Sequence, residues 1–485
     1  MTLGPHQVYC ATVDGGYGRR PYAAGPVPEL PPEARPTPTL LAVRKLLADA
    51  GLDRARIGSA EWNPLSELIS PRDRVLVKPN WVHHRNASGW GLDCLVTHTD
   101  VIEAALWYVA KARPAAVALG DAPVQGCDFE ALMAACGVRD MLARLAATGV
   151  PVALHDFRRT VRGDAPLRQP AVEGCRPLDR YVLHDLGTAS DLEPITRGDG
   201  AFRVAMYDPE QLARRHGPGR HQYLVAREAM EADVVVNLPK LKTHKKACLT
   251  GALKNVVGIN GHKEYLPHHR RGGSRAGGDC YEGRSRLKEA VERLLDSTNR
   301  SRGPSRPLLA GAARAGMALS NLLGAPEEFD GSWPGNDTVW RMTLDLQRIL
   351  RYGRAGGGLA SVPQRVVLTL TDAVVCGQGN GPLAPEPAQL GLLTLGTSTA
   401  AVEWVHAQLM GLDPRAIPLV REAFAAHRYP LAPFAPAAIA VRVDGRPVEL
   451  ERLFLEHGSP FRLPRLWQHA PVRLPAARRA AQGVA

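Results

Sequence analysis

Short runs of consecutive apolar residues recur along the chain and predict buried strands. They are RVLVKPN (74–80), AAVALGD (115–121), VPVALHD (150–156), ADVVVNLPKLKTH (232–244), RVVLTLTDAVV (365–375) and LLTLG (392–396). Strands that are buried on both faces of a parallel sheet have this continuous apolar pattern. Helical patterns separate the runs, and strands that alternate with helices are typical of α/β proteins. We therefore expect a doubly wound, mainly parallel sheet.

Start and stop signals place the helices between these strands. A helix is expected from Thr39 to Gly51, and a second begins at Asp100, with Glu103 completing a capping box. Further helices are expected at 128–148, 285–298, 335–353 (with Asp337 as its cap) and 400–411. The Asp444-Gly445 pair predicts the turn of a C-terminal β-hairpin over 439–450.

Two long segments interrupt the strand and helix pattern. Residues 157–222 and 262–335 are rich in Arg, Gly or Pro and are interpreted as insertions that lie over or beside a cleft. The chain of 485 residues is long enough for a large core. We expect an N-terminal extension with the first helix (1–69), an α/β domain (70–425), and a C-terminal hairpin with a loose basic tail from residue 464 (426–485).

The positive charge is concentrated in one part of the chain. The net charge is +12, and 16 Lys or Arg residues stand against 6 acidic residues between Lys240 and Arg306. Such a local field favours a small anionic partner, although a solvated basic surface has the same composition. Nucleic acid is disfavoured, because Tyr265 and Tyr281 are the only aromatic residues there and no nucleic-acid-binding motif is present.

Other composition features narrow the class of protein. No apolar run approaches the length of a membrane-spanning helix, and the first residues lack the apolar core of a secretory signal, so we expect a cytoplasmic protein without membrane partners. The eight cysteines include no C-x-x-C pair, which disfavours an iron–sulfur cluster. We expect reduced, partly buried thiols that pack as small hydrophobic side chains.

Polar residues follow several of the predicted strands. Ligands of open parallel sheets bind beyond the carboxyl ends of the strands, so these residues predict one cationic cleft. His244 is the acid–base candidate, since its ordinary pKa is about 6.5, and Asp121 and Asp372 would orient it or hold a divalent cation. The candidate ligand-binding residues are Lys78, Asn80, Asn237, Lys240, Lys242, Lys254, Asn255, His268, His269 and Asn380.

The segment 237–273 is the most informative part of the chain. Thr250-Gly251 opens a short helix ending at Gly258, whose first N–H groups could hold a phosphate or carboxylate. His244, His268 or His269 together with Asp121, Asp279 or Asp372 could bind a metal. No ligand motif of fixed spacing supports this, and the identity of any metal or cofactor stays open. A glycine-rich turn, CGQGNGPL (376–383), allows a close approach of backbone to ligand.

Several strings together resemble the DUF362 family, a domain of unknown function, from about residue 70 to 425. They are VLVKPNWV, THTD, GDAP, VVVNLPKLKTHKKACLTGALKNVVGINGHKEYLPHHR, GNDTVWR, TDAVVCGQGNGPL and LMGLDP. The resemblance implies the family's α/β fold and no particular reaction.

Some members carry ferredoxin-like segments, whose cysteines this chain lacks. It also departs from the family pattern at Thr99-Asp100, where members have Pro, and at Gln378, where members have Glu. Near the C-terminal helix members have an aspartate before Pro-Val-Ala, whereas this chain has GTSTAAVEW, in which Glu403 is a candidate substitute for that aspartate. A remoter likeness is to the lactate racemase family, which suggests proton or hydride chemistry beside an anionic substrate.

These observations lead to three hypotheses about function. The first is an enzyme that acts on a small carboxylate or phosphate metabolite in a cleft lined by Lys, His and Asp. The second is a non-catalytic protein that binds an anion or nucleotide in the same cleft and has a regulatory role. The third is a redox protein linked to iron–sulfur chemistry.

Overall fold

The computed structural model describes residues 3–18, 25–163, 172–173, 175–322 and 329–477. Its strands are β1 (Gln7–Thr12), β2 (Arg74–Pro79), β3 (Ala116–Asp121), β4 (Val152–Asp156), β5 (Thr160–Val161), β6 (Val172–Glu173), β7 (Tyr181–Asp185), β8 (Phe202–Arg203), β9 (His216–Gly217), β10 (Arg220–Ala226), β11 (Val234–Leu238), β12 (Lys240–His244), β13 (Cys248–Thr250), β14 (His269–Arg270), β15 (Val366–Asn380), β16 (Ala384–Gly396), β17 (Ala440–Val443) and β18 (Arg446–Val448).

The helices lie mostly between these strands, as the alternating pattern predicts. They are α1 (Pro38–Asp49), α2 (Thr99–Lys111), α3 (Phe129–Ala135), α4 (Val138–Leu145), α5 (Pro209–Arg215), α6 (Arg227–Glu231), α7 (Ala252–Asn255), α8 (Arg286–Arg300), α9 (Arg306–Leu322), α10 (Val339–Tyr352), α11 (Thr399–Leu409), α12 (Pro418–Glu422) and α13 (Leu450–His457). None of the helices among the described residues is both long and apolar enough to cross a bilayer.

One large sheet organises the molecule. Its order is β18-β17-β1-β16-β15-β11-β2-β3-β4, and β12 and β13 extend it beside β15. The pairs from β15 through β11, β2 and β3 to β4 are parallel, whereas β16 is antiparallel to both β1 and β15. The predicted α/β class with a mainly parallel sheet is confirmed. Strands from residues 1–69 and 426–485 join this sheet, and β17 and β18 form the predicted hairpin.

Apolar layers cover both faces of the sheet. Val234 and Val236 of β11 belong to the core formed with α1 and α2, whereas Val235 belongs to the core formed with α10 and α11. Side chains alternate between the faces of a strand, so a strand between two apolar layers must be apolar at every position. This requirement explains why RVLVKPN and ADVVVN are continuous apolar runs.

Helix starts differ in detail from the sequence prediction. The helix predicted to begin at Asp100 begins at Thr99, where His98 is the N-cap and its Nδ1 accepts the Asp100 N–H at 3.2 Å. The predicted helix 128–148 is two helices, because Gly137 adopts a left-handed conformation (φ 64°) between α3 and α4. Asn336 rather than Asp337 caps α10, since its Oδ1 accepts the N–H groups of Thr338 and Val339.

The two insertions carry more regular structure than their composition indicates. Residues 157–222 contain short antiparallel strands and α5, and residues 262–335 contain the predicted α8 and an unpredicted helix, α9. The prediction of a loose tail is wrong for the first part of the tail, because Trp467 is buried and its Nε1 donates to the Lys245 carbonyl. Residues 478–485 of that tail lie outside the described residues.

Candidate functional site

A cavity of about 150 Å³ lies beyond the carboxyl ends of β2 and β3, beside β12 and α7. This is the edge at which parallel sheets bind ligands. Residues from the insertion 262–335 also contribute to its wall. The lining residues are Asn80, Trp81, Val82, Asp121, Ala122, Pro123, Val124, Gln125, Lys242, His244, Thr250, Lys254, Asn255, Val257, Gly258, Asn260, Lys263, Leu266, His268 and Pro382.

Three lysines line this cavity, and none has an acidic partner among the described residues. Lys242 is fully buried, and its Nζ donates to Asn80 Oδ1 at 2.6 Å and to the Leu95 carbonyl. Lys263 Nζ lies 3.0 Å from His268 Nε2. Lys254 has no hydrogen-bond or ion-pair partner within the described part of the chain. We call Lys242, Lys254 and Lys263 the cavity lysines.

Burial and mutual repulsion weaken the hold of these lysines on their protons. Burial lowers the pKa of Lys254 to about 8, and the nearby Lys246 acts in the same direction. Burial lowers the pKa of Lys263 to about 7, with further lowering by Lys254 and Lys246. The pKa of Lys242 is also well below its usual range, because burial and Lys240 disfavour its charged form. An anion in the cavity would stabilise all three charges.

Two histidines in the cavity have fixed and opposite hydrogen-bond roles. His244 Nδ1 accepts the Lys246 N–H at 3.0 Å, which assigns the ring proton to Nε2. His268 Nδ1 lies 2.7 Å from the Leu266 carbonyl and therefore carries the proton, which leaves Nε2 as an acceptor facing Lys263. Burial lowers both pKa values well below the usual range, and nearby lysines add to the effect. His244 is thus a neutral donor and His268 a neutral acceptor.

Two further polar groups of the wall have no protein partner. Trp81 Nε1 and Thr250 Oγ1 are buried and make no hydrogen bond among the residues that the structure describes. An unpaired buried polar atom costs about 1–3 kcal/mol. A ligand that accepts a hydrogen bond from either group would remove this cost. Trp81 was not singled out from the sequence, although it lies in the VLVKPNWV string, and Thr250 was noted only as the start of a short helix.

A hydrogen-bonded network behind the cavity joins three strands and α7. Lys78 Nζ donates to Asp121 Oδ1 at 2.8 Å and to Asn255 Oδ1 at 3.2 Å, and Asn255 Nδ2 donates to Asn237 Oδ1 at 2.8 Å. Burial raises the pKa of Asp121, and Lys78 opposes that rise. The structure therefore brings Lys78, Asp121, Asn237 and Asn255 together. Within this group, Asp121 and Asn255 reach the cavity wall.

Lys240 and Asp372 lie in a different buried cluster. Lys240 Nζ donates to Asp372 Oδ2 at 2.7 Å and to the Tyr17 hydroxyl at 2.7 Å. Tyr17 in turn donates to Asp372 Oδ1 at 2.7 Å, and the ring of His98 stacks on Tyr17. Neither Lys240 nor Asp372 lines the cavity. The sequence did not identify Tyr17 or His98, which reach this cluster from other parts of the chain.

The remaining candidate residues lie outside the cavity. Asn380 is exposed, and its Oδ1 accepts the Arg465 N–H at 3.1 Å. His269 is buried beside Cys280 and Glu292. The helix start at Thr250-Gly251 is not free to hold an anion, because Glu403 Oε2 already accepts the Ala252 N–H at 2.7 Å.

The comparisons with known proteins agree with the predicted resemblance. Residues 182–408, just under half of the chain, match the DUF362 family, a domain of unknown function. A thylakoid-associated protein of Synechocystis sp. is 23% identical over 354 residues, which cover 73% of this chain and 68% of that protein. No solved structure matches the chain. The resemblance to DUF362 is thereby confirmed, and its range includes all three cavity lysines.

Proposed function

We propose that this protein, which carries a DUF362 match over residues 182–408, is an enzyme that binds a small carboxylate or phosphate metabolite in the cavity. The observation that carries the proposal is the set of three cavity lysines without acidic partners among the described residues. Lysines that lack an acidic partner are costly to remove from water, so a protein retains them where a ligand supplies the missing negative charge. The cavity of about 150 Å³ is smaller than ordinary ligand pockets of about 300–1,000 Å³, which favours a small metabolite over a dinucleotide.

Each residue of the cavity has a role in this proposal. Lys242 and Lys254 bind the anionic group of the substrate, and His244 donates a hydrogen bond from Nε2. Lys263, whose pKa is about 7, moves a proton to or from the substrate. A group with a pKa near the working pH is the most effective general acid or base. His268 is a positioning residue, since its Nε2 accepts from Lys263 while the Leu266 carbonyl fixes its ring.

The Lys254→Met variant is expected to bind sulfate about 10- to 100-fold more weakly than the wild type. The reason is the loss of a charge-assisted hydrogen bond of about 1.5–3 kcal/mol. Sulfate is a suitable probe because it stays a dianion over the useful pH range. Isothermal titration calorimetry at pH 7 measures the affinity.

The matched control is Lys45→Met, which removes the same charge from a partly exposed ion pair with Asp49 in α1, away from the cavity. Its affinity for sulfate should equal that of the wild type. Equal affinities for Lys254→Met and Lys45→Met would contradict the assignment of the cavity as an anion site.

A hydrogen-exchange experiment separates the enzyme from a non-catalytic binding protein. Wild-type protein in D₂O should introduce deuterium into at least one member of a panel of small hydroxy acids, dicarboxylic acids and phosphorylated acids, as measured by NMR. Lys263→Met should slow this exchange by about 100-fold or more, the usual contribution of a general acid or base. Binding of panel members without any exchange would reject proton transfer and favour the regulatory alternative.

A further inference from the structure

Three potential metal-ligating side chains converge at a second place, outside the cavity. The imidazole of His269, the thiol of Cys280 and the carboxylate of Glu292 each offer an atom, and these atoms all lie within 4.8 Å of one another. The residues are 3%, 1% and 6% exposed. They come from β14, the loop that precedes α8, and α8 itself. A small void of about 30 Å³ beside His269 and Glu292 is large enough for a single ion or water.

The hydrogen bonding of this cluster leaves one buried atom without a partner. His269 Nδ1 is buried and makes no hydrogen bond among the described residues. Glu292 is already oriented, since Oε1 accepts the Gly272 N–H at 2.9 Å and Oε2 lies 3.4 Å from the Tyr281 hydroxyl. Metal-ligating carboxylates are typically held by such outer hydrogen bonds. His269 thus has an unpaired ring nitrogen and Glu292 is held in place, so both side chains are available to the same ion.

We propose that His269, Cys280 and Glu292 bind one zinc ion. Zinc in proteins is bound by this kind of nitrogen, sulfur and carboxylate set, whereas Mg²⁺ and Ca²⁺ prefer oxygen ligands alone. Binding releases the Cys280 proton to solvent, and the thiolate and carboxylate together balance the two charges of the ion. Three protein ligands leave a fourth position of the tetrahedron for water.

The charges around the site are compatible with a bound cation. Arg203 is paired with Asp296 at 2.9 Å, and Lys246 is paired with Asp330 at 2.8 Å. Each of these two cations therefore has its own carboxylate.

The ion would link the segment before α8 to α8 itself, and so stabilise the insertion 262–335 close to the cavity. His269 belongs to β14, Cys280 belongs to the loop before α8, and Glu292 belongs to the middle of α8. The neighbour of His269 in the sequence is His268, which lines the cavity and contacts Lys263. The inferred zinc site is thus a positioning site for the wall of the cavity. It does not depend on the proposed function, because its ligands do not line the cavity.

Metal analysis of the tag-free full-length protein tests this inference. After incubation with Zn²⁺ and gel filtration, the wild type is expected to retain about one zinc per chain, the stoichiometry of a single site. Cys280→Ser and Glu292→Gln are expected to retain less than about one tenth of that amount, because each loses an anionic ligand. Cys136→Ser, which changes a partly buried thiol outside the cluster, should retain the full amount.

Cobalt substitution in the wild-type protein tests the site even if a variant folds poorly. The wild-type protein loaded with Co²⁺ should show a thiolate-to-cobalt charge-transfer band that Cys136→Ser retains. A wild type that binds neither metal overturns the inference. So does zinc retention in folded Cys280→Ser and Glu292→Gln, or a cobalt complex of the wild type without a thiolate band.

Discussion

The Asp372→Ala variant is expected to lose about 3–5 kcal/mol of unfolding free energy, since truncating one partner of a buried ion pair strands the other charge. Lys240 and Asp372 are both fully buried, and their 2.7 Å contact is supported by the Tyr17 hydroxyl. Urea denaturation at pH 7 measures the loss.

The matched control for Asp372→Ala is Asp49→Ala, which removes one carboxylate partner of Lys45 in a partly exposed pair. Ion pairs at the surface contribute about 0.2–1 kcal/mol. Equal losses of unfolding free energy in the two variants would contradict the description of Lys240 and Asp372 as a structural pair of the core.

The Gly258→Ala variant is expected to disrupt the wall of the cavity. A Cβ atom at residue 258 would lie 1.9 Å from Asp121 Oδ1 and 2.8 Å from Lys78 Nζ. Neither group can move far, because Asp121 also accepts the Trp81 N–H at 2.7 Å. Separation of Lys78 from Asp121 should cost about 3–5 kcal/mol of unfolding free energy, as for other buried pairs. Urea denaturation measures this loss, and calorimetry with sulfate should show weaker binding.

Gly91→Ala is the control for Gly258→Ala. A Cβ atom at residue 91 would meet nothing within 4 Å, and its backbone (φ −63°) suits any residue. This variant should keep both the stability and the sulfate affinity of the wild type. A Gly258→Ala protein with the same stability and affinity would contradict the close packing at the cavity wall.

The sequence was most informative where burial imposes a simple pattern. The runs around Val75–Val77 and Val234–Val236 predicted strands correctly, because both faces of the sheet are covered. The structure adds that these two strands lie side by side. The strand β1 was missed, since QVYCAT has polar residues at both ends and no helical or alternating pattern. Its place in the sheet depends on partners almost 400 residues away, such as Leu395 opposite Tyr9. Such pairing leaves no local signal.

Local sequence patterns also failed to predict where single side chains of the candidate site lie. Lys240 and Lys242 are two residues apart on β12 and would share one face of a regular strand. The register with β15 shifts between them, so Lys240 contacts Asp372 and Lys242 reaches the cavity. A sequence pattern cannot show such a shift.

Local sequence patterns also could not predict clusters of side chains that come from distant segments of the chain. Lys263 lay within the informative Lys- and His-rich segment but was not selected. The pairing of His269 with Cys280 and Glu292 depends on how α8 packs against the preceding loop. Only the folded chain brings these three side chains together.

Proton uptake during sulfate binding shows directly whether a small anion binds to the cavity lysines. Lys254 and Lys263 have pKa values of about 8 and about 7 without a ligand. An anion raises both values, so affinity should be greatest below pH 7 and fall as the pH rises through this range. At pH 8 each sulfate should bind together with about 0.5–1.5 protons, because both lysines are partly deprotonated beforehand. Titration calorimetry in two buffers of different ionisation enthalpy measures this number. Clear uptake is expected in the wild type and reduced uptake in Lys254→Met, whereas sulfate binding without uptake in the wild type would show that the cavity lysines do not hold the anion.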